Sequence, residues 1–430
     1  MSAIANVRGR RVWDSRGRPT VEAEVMLQGG TRGRAIAPAG ASTGKEEAVD
    51  LRDGGEAFGG YDVRKAIAAV NGEIAKLLEG QDATDQAGID AALIELDGTP
   101  NKERLGGNAL VATSMAIAHA AAAAHDMPLW RYLGEGRNEF HLPLPEIQIF
   151  GGGAHAGRRV DVQDFMIIAV GAADYAQALE WTAEVYRAAG ALMKEAGLLQ
   201  GVADEGGFWP AFDNNEKALD FLMRSIERAG YTPGQDVAIS LDIAASDFGK
   251  HGRYTLALDG QEVDSDGLSE MLLGWLARYP IVAIEDPLGE DDPEGMSRFT
   301  RAAGPGVEVV ADDFICTGAA RVERAAGLGA CNTALIKPNQ AGTLTETRAA
   351  LDAARAAGWE SIVSARSGES EDVTIVHMAV GWGAKQLKVG SFSRSERMAK
   401  WNEGLRIAEA LDQGGGRLAP RTEFPWGSGG

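Results

Sequence analysis

Six short apolar runs in the second half of the chain each lead into a charged residue. The six charges lie 22 to 43 positions apart, which leaves room for one helix and its loops between consecutive strands. This spacing is typical of a barrel in which strands and helices alternate. The runs are VAISL before Asp242, IVAI before Glu285, EVVA before Asp312, ALI before Lys337, IVSA before Arg366 and QL before Lys388.

The alternation predicts that these six charges meet at one end of a barrel. In a (β/α)₈ barrel the carboxyl ends of the strands form the active-site face, so charges that follow successive strands project into one shared mouth. The first three are carboxylates, whose hard oxygen atoms suit Mg²⁺. The last three are basic and suit an anionic substrate that is bridged to the metal. The pattern therefore predicts a metal-dependent site for a small anion.

The acidic balance of the chain narrows the range of partners. With 430 residues and 45% hydrophobic content, the chain can bury a large core and form two domains. A formal net charge of −20 argues against nucleic acid and against an anionic membrane as partners, so any phosphate site has to be local. Cys316 and Cys331 form no CxxC or zinc motif, and the first residues contain no apolar signal core. These features predict a cytoplasmic enzyme.

A change of pattern near residue 139 divides the chain into two predicted domains. Residues 21–27 alternate between apolar and polar side chains and residues 31–36 offer another strand, which predicts a small antiparallel sheet. Helical patterns follow over residues 63–78, 85–96 and 105–124. We therefore predict an N-terminal α+β domain over residues 1–138 and an α/β barrel domain with the catalytic site over residues 139–430.

A glycine pattern in the second domain raises one alternative. Gly151, Gly153 and Ala156 fit the G-x-G-x-x-A sequence of dinucleotide-binding turns and follow a strand-like run. The residues after them, RRVDVQDF, do not begin a helix, and a dinucleotide-binding turn requires one. The segment is therefore interpreted as a lid loop.

Ten short motifs spread over the whole chain carry a resemblance to a known family. They are SRGRPTVEAEV, GASTG, NKERLGGNA, GGGAHAG, ADEGGF, IEDP, ADD, LIKPNQAGTLTE, SARSGESED and RSERMAKWN. Together they are highly specific, and the chain resembles enolases from end to end. The resemblance implies an N-terminal α+β capping domain followed by a modified TIM (β/α)₈ barrel. It also implies two Mg²⁺ ions per active site and a homodimer.

The resemblance assigns the base and the substrate-binding residues. Proton removal next to a carboxylate gives a doubly negative product, so the site has to concentrate positive charge. Lys337 matches the family's general base, and nearby cations are expected to lower its pKa from about 10.4. Lys388 matches the residue that contacts the substrate carboxylate. Ser364 and Arg366 match the phosphate ligands, and Ala41 of the GASTG loop is expected to contact the substrate.

The resemblance also assigns the metal ligands and the group that assists the leaving hydroxide. Glu205 matches a residue that works with a second carboxylate, here Asp164, when the C3 hydroxide leaves, which is a general-acid task. His155 is the histidine of the GGGAHAG motif. The predicted Mg²⁺ ligands are Asp242, Glu285 and Asp312 for the first ion, with Ser42 of the GASTG loop for the second.

Several positions depart from the enolase pattern. Ala365 stands where enolases have a histidine that faces the substrate, and Asp164 stands where they have the longer glutamate. Arg158 and Arg159 add positive charge after the lid motif. These changes predict an enlarged, more cationic pocket for a bulkier substrate or for a second anionic substrate, such as a phosphonate.

Three functional hypotheses follow. The departures favour a divergent enzyme similar to the carboxyphosphonoenolpyruvate synthases of phosphonate antibiotic pathways, which join a phosphonoformate unit to a phosphoglycerate-derived enolpyruvate. The alternative is an authentic enolase that converts 2-phosphoglycerate to phosphoenolpyruvate in glycolysis. The third hypothesis is a non-catalytic binding protein with the same fold. The presence of Lys337, Lys388 and Glu205 argues against the third.

Overall fold

The N-terminal part of the chain is a three-stranded antiparallel sheet covered by helices. The computed structural model describes residues 2–411 and 414–428. The sheet has the order β1-β2-β3. The elements are β1 (Ile4–Trp13), β2 (Pro19–Leu27), β3 (Arg32–Ile36), α1 (Arg64–Ala69), α2 (Ala75–Leu78), α3 (Gln86–Asp97), α4 (Gly107–Ala124) and α5 (Leu129–Leu133). Strand β1 was not predicted, because its solvent face carries arginines between the few apolar residues.

Helix α4 forms the core of this part. Its alanines allow a close approach to β2 and β3, and a Cβ placed on Gly33 of β3 would lie 2.2 Å from the carbonyl oxygen of Ala116. Among the described residues, α4 alone is long and apolar enough to cross a membrane, but 83% of it is buried inside the structure. This is the environment of a core helix, as the sequence predicts.

The second part contains alternating strands and helices. The predicted boundary at residues 138 and 139 falls between the end of α5 and the start of this part. Its elements are β4 (Leu144–Gly151), β5 (Asp164–Ile168), α6 (Tyr175–Glu195), β6 (Leu199–Val202), β7 (Phe208–Pro210), α7 (Glu216–Arg228), β8 (Ala238–Asp242), β9 (Gly249–Lys250), β10 (Arg253–Leu256), β11 (Gln261–Asp264), α8 (Ser265–Arg278), β12 (Ile281–Glu285), α9 (Pro293–Ala303), β13 (Glu308–Ala311), α10 (Ala319–Leu328), β14 (Thr333–Ile336), α11 (Pro338–Ala341), α12 (Leu344–Ala356), β15 (Glu360–Ser364), α13 (Thr374–Trp382), β16 (Gln386–Ser391) and α14 (Ser395–Ala410).

Eight of these strands close into a barrel, which confirms the predicted fold. Their order is β16-β15-β14-β13-β12-β8-β5-β4, and β16 pairs with β4 to complete the circle. Strand β5 runs antiparallel to both β4 and β8, and the other barrel pairs are parallel. The antiparallel second strand is the modification of the regular barrel.

The charged ends of the apolar runs lie above an apolar layer. Side chains alternate along a strand, so the residue two positions before an inward charge also points inward. Three such residues, Ala283, Val310 and Leu335, form a buried cluster with Ile362, which lies two positions before Ser364. Lys388, however, is the third residue of β16 and does not end it, because Gly390 and Ser391 still pair with β4.

Two further glutamates, Glu308 and Glu146, are buried in the barrel domain. Gln386 donates a hydrogen bond to Glu308 Oε2 at 3.1 Å, and Ser240 donates one to Glu146 Oε1. The second oxygen of each glutamate is buried and has no hydrogen-bond partner within the described part of the chain. Burial and the negative charge of Glu146 raise the pKa of Glu308 to about 8.

This environment should make the stability of the fold depend on pH. Between its ordinary pKa of 4.5 and about 8, Glu308 keeps its proton in the folded chain but loses it on unfolding. Stability should therefore fall as the pH rises through this window, by up to about 1.4 kcal/mol per unit. The variant Glu308→Gln cannot ionise and should show a smaller fall. Urea unfolding across the window measures both slopes, with the exposed Glu409→Gln as control. Equal slopes for wild type and Glu308→Gln would contradict the assignment.

Candidate active site

The carboxyl ends of the barrel strands surround a small cavity. Its volume is about 20 Å³, room for one or two water molecules. It is therefore smaller than the predicted enlarged pocket, although Ala365 does line it. The GASTG loop contributes to its wall. Predicted site residues that line the cavity are Ala41, Ser42, His155, Asp164, Glu205, Asp242, Lys337, Ser364, Arg366 and Lys388.

Lys388 contacts carboxylates of three other strands. Its Nζ donates to Asp242 Oδ2 at 2.8 Å and to Glu285 Oε2 at 2.6 Å, and lies 3.4 Å from Asp164 Oδ2. All four side chains are buried. Burial alone would lower the pKa of Lys388, but the carboxylates of Asp242 and Glu285 raise it well above its ordinary value. The ammonium group is therefore a permanent positive charge at the cavity.

Lys337 contacts a different carboxylate. It follows β14 and donates to Asp312 Oδ2, whose other oxygen accepts a hydrogen bond from Gln340 at 2.9 Å. The prediction that the pKa of Lys337 is lowered was wrong for this structure. Burial does lower it, but the charge of Asp312 outweighs burial and raises the pKa. Lys337 can therefore act as a base only once the charge of Asp312 is balanced.

The acidic residues of the site fit a divalent cation. Glu285 on β12 is in register with Asp242 on β8, and Asp312 follows the neighbouring strand β13. Glu285 Oε1 is buried and has no hydrogen-bond partner in the described ranges, so it is free to act as a ligand. Among the described residues, two groups of side chains could each hold a metal ion. In each group, every member offers one ligand atom, and these atoms all lie within 4.8 Å of one another. These groups are His155 with Asp164 and Glu205, and Asp286 with Asp312 and Asp313.

His155 lies between two carboxylates. Its Nε2 is 3.2 Å from Asp164 Oδ1, and its Nδ1 is 3.4 Å from Glu205 Oε1. Burial alone would lower the pKa of His155, but Glu205 and Asp164 raise it well above its ordinary value. Burial would raise the pKa of Glu205, yet the charge of His155 lowers it to about 2. The proton of this group therefore resides on the imidazole, and Glu205 is ionised.

Arg366 connects the barrel to the GASTG loop. Its Nη1 donates to Glu47 Oε2 at 2.9 Å and its Nη2 to Glu47 Oε1 at 3.1 Å, and this bidentate pair is buried. The same Nη2 donates to the carbonyl oxygen of Ser42 at 2.9 Å. A Cβ on Gly40 would lie 2.1 Å from this nitrogen, so the close approach requires glycine. The loop is thus held against the cavity by the predicted phosphate ligand.

Two predicted substrate ligands lie outside the cavity. Arg158 is exposed and donates to the carbonyl oxygen of Asp247 at 2.9 Å. The guanidinium of Arg159 lies 5.3 Å from the centre of the Trp209 ring. Neither arginine is among the residues that line the cavity. Their predicted role in substrate binding stays a prediction.

Family models cover nearly the whole chain. Residues 4–133 match the N-terminal domain of enolase, and residues 139–418 match its C-terminal TIM barrel domain. The chain belongs to the enolase family. A protein of Acidothermus cellulolyticus named enolase is 47% identical over 430 residues, which is 100% of this chain and 99% of that protein. These comparisons favour the authentic-enolase hypothesis and give no support to the synthase-like one.

Amide side chains join the charged residues of this enolase-family site, and the sequence analysis missed them. Gln163 Nε2 donates to Asp242 Oδ2 at 2.8 Å, and its Oε1 lies 3.4 Å from the hydroxyl of Ser42. Gln340 Nε2 donates to both Asp312 and Glu47. These amides carry no charge that would mark a strand end. The LIKPNQAGTLTE motif contains Gln340, whereas Gln163 lies outside the ten motifs.

The Glu47–Arg366 pair should contribute strongly to stability. Glu47→Gln leaves the buried guanidinium without its counter-charge, and removal of one partner of a buried pair costs about 3 kcal/mol or more. The neighbouring Glu46→Gln is the matched control, because Glu46 is exposed and lies 3.9 Å from Arg321. Exposed pairs contribute about 1 kcal/mol or less. Urea unfolding of both variants measures the difference, and equal stabilities would show that the buried pair is not needed.

Proposed function

We propose that this enolase-family chain is an authentic enolase, a Mg²⁺-dependent lyase that converts 2-phosphoglycerate to phosphoenolpyruvate. The observation that carries the proposal is the assembly of two buried lysines and a buried histidine around one small cavity. The 47% identity to a protein named enolase extends over the full length of this chain and supports the enolase proposal over the synthase-like hypothesis. The proposal includes one small phosphorylated anion as substrate, two Mg²⁺ ions per site and a homodimer.

Lys337 would accept the C2 proton. Its removal places a second negative charge next to the substrate carboxylate, and the fixed charge of Lys388 stabilises that charge. A divalent cation held by Asp242, Glu285 and Asp312 would add positive charge at the same place. Lys337 can take up the proton only as the neutral amine. Because Asp312 stabilises the charged form of Lys337, the fraction of Lys337 that is a neutral amine depends on whether another cation balances the charge of Asp312.

Ser364 and Arg366 would hold the phosphate group. Both line the cavity, and the Ser364 hydroxyl lies beside Ala365, to whose carbonyl oxygen it donates at 3.0 Å. The guanidinium of Arg366 has five N–H donors, and its contacts with Glu47 and Ser42 leave donors free for a phosphate oxygen. Glu47 fixes the plane of this guanidinium before the substrate arrives, which reduces the ordering required on binding.

His155 and Glu205 would assist departure of the C3 hydroxide. Glu205 and Asp164 raise the pKa of His155 well above its ordinary value, and the charge of His155 outweighs burial and lowers the pKa of Glu205 to about 2. These shifts support His155 as the group that holds the proton, beside an ionised Glu205. His155 would supply a proton to the leaving oxygen through its contact with Glu205 or Asp164, both within 3.4 Å of the ring.

The synthase-like reaction is the second candidate, and one observation favours it. Ala365 lines the cavity where the enolase pattern has an imidazole, and the shorter Asp164 replaces a glutamate beside His155. Neither position is assigned to removal of the C2 proton. Departure of the C3 hydroxide, in contrast, depends on acidic groups on the side of the cavity where Asp164 and Ala365 lie. The space beside Ala365 is where a second anionic substrate would bind. An enolpyruvate product would still require departure of the C3 hydroxide, and the joining step would require a leaving group on one of the two substrates.

Steady-state turnover of 2-phosphoglycerate separates the two candidates. Under the enolase proposal, the unmodified protein should form phosphoenolpyruvate at about 10 per second or more. The synthase-like reaction is indicated instead by turnover about 100-fold lower with C2 exchange retained. In that case the double variant Asp164→Glu with Ala365→His should increase the turnover. Under the enolase proposal the same double variant should leave turnover unchanged or lower it.

A further inference from the structure

A second cleft lies at the opposite end of the barrel and collects positive charge. It has a volume of about 480 Å³ and is lined by the linker before β4, by α12, by the segment that leads into β16 and by the C-terminal segment. Lys385 immediately precedes β16, three residues before Lys388 of the catalytic cavity. The cleft contains Arg137, His141, Arg348, Arg355, Lys385 and Glu423, and we call it the arginine cleft.

Three guanidinium groups of the arginine cleft gather around the turn that ends α13. A Cβ placed on Gly383 would lie 1.9 Å from Nη1 of Arg137, so this arginine packs directly on the glycine backbone. Arg355 donates to the carbonyl oxygen of Trp382 at 2.8 Å. The guanidinium of Arg348 lies 5.7 Å from the centre of the Trp382 ring. The three groups are therefore fixed by different parts of one short turn.

The charges around this turn are not balanced by the chain. Arg348 and Arg355 share one carboxylate, that of Asp352. Arg137 has no hydrogen bond or ion pair to a carboxylate within the described ranges, and its guanidinium lies 5.8 Å from the centre of the Phe140 ring. Burial, together with the charges of Arg355 and Arg348, lowers the pKa of Arg137. An excess of positive charge is thus held in one place by a chain whose net charge is −20.

The other end of the cleft is nearly neutral. Lys385 Nζ is 2.9 Å from Glu360 Oε1 and 3.3 Å from Glu423 Oε2. Burial and the charge of Arg417 lower the pKa of His141, so its imidazole adds no charge near neutral pH. The excess positive charge is therefore concentrated at the three arginines.

We propose that the arginine cleft is a binding site for a small molecule that carries two phosphate groups. Planar guanidinium groups bind phosphate oxygens in a bidentate manner, and three of them face this cleft with one carboxylate, that of Asp352, between two of them. The volume suits a ligand of about the size of a sugar bisphosphate. The cleft lies at the end of the barrel opposite the catalytic cavity, and the two have no lining residue in common. Binding of such a ligand would therefore be separate from catalysis.

Calorimetric titration of the Mg²⁺-loaded full chain with fructose 1,6-bisphosphate tests the proposal. We expect saturable binding that becomes weaker with fructose 6-phosphate, which has one phosphate group, and is lost with fructose. The double variant Arg137→Gln with Arg355→Gln should weaken binding of the bisphosphate at least tenfold. Arg301→Gln, which removes an exposed arginine of α9, should not.

Two further readouts make the outcome decisive. The double variant should keep its circular dichroism spectrum and its turnover of 2-phosphoglycerate, because neither arginine lies at the catalytic cavity. Absence of saturable binding to the wild-type chain would overturn the proposal, as would equal affinity in the wild type and the double variant. Because binding is measured directly, a lack of enolase turnover would not affect this conclusion.

Discussion

The variant Lys337→Ala should lose the exchange of the C2 proton of 2-phosphoglycerate with solvent deuterium. Lys337 is the cavity lysine that contacts a single carboxylate, Asp312, whereas Lys388 is fixed by several. A positioned base contributes about 10²–10⁴-fold to proton transfer, so the exchange rate should fall by that factor. Proton NMR in deuterated buffer follows the C2 signal directly and does not depend on product formation.

The matched control for this experiment is Lys250→Ala, which removes an exposed lysine of β9. It should exchange at the wild-type rate. Circular dichroism should show that Lys337→Ala is folded, because loss of Lys337 leaves Asp312 without its ion pair. Exchange that persists in folded Lys337→Ala would assign the base to another group.

Replacement of Asp242 by asparagine should weaken Mg²⁺ binding by at least about 100-fold. Asp242 is next to Glu285 in register, and the free Oε1 of Glu285 points to a cation site at these strand ends. Loss of a carboxylate ligand should cost at least as much as loss of a group that only orients a ligand, which is 10–100-fold. Calorimetric titration of each variant with Mg²⁺ measures the affinity.

The variant Asp313→Asn tests whether the ion is held by the predicted ligands or by the group that Asp313 forms with Asp286 and Asp312. Asp313 belongs to the close group with Asp286 and Asp312 but was not predicted as a ligand. If the predicted ligands hold the ion, Asp313→Asn should change the affinity by less than about tenfold. A large loss in Asp313→Asn with normal binding in Asp242→Asn would move the metal to the Asp286 group.

The charged strand ends explain why so much of the barrel could be predicted. Asp242 and Glu285 end their strands, and Asp312 and Lys337 directly follow theirs, so strand periodicity alone places them at one face. Strand β1 was missed because its exposed arginines hide the period of two.

The features of the site that could not be predicted depend on contacts between residues that are far apart in the sequence. Glu47 lies 319 positions from Arg366 in the sequence, and only the docking of the N-terminal part on the barrel brings the two together. The pKa of Lys337 depends on the distance to Asp312 compared with the distances to Arg366 and Lys388. The sequence identifies these residues, but it does not give the distances that decide whether the pKa of Lys337 is raised or lowered. For the same reason the sequence does not show that Arg158 and Arg159 lie outside the lining of the cavity.

The small volume of the cavity also bears on the order of events in the proposed catalytic cycle. A space of about 20 Å³ is smaller than the proposed substrate, so we expect the GASTG loop to move away before each encounter succeeds. That movement would break the hydrogen bond from Arg366 to the carbonyl oxygen of Ser42, and Arg366 is the residue proposed to bind the phosphate group. The loop therefore acts as a gate with its own opening rate. At high substrate concentration the observed association rate should level off at this opening rate, so that the speed of the loop and not diffusion limits capture.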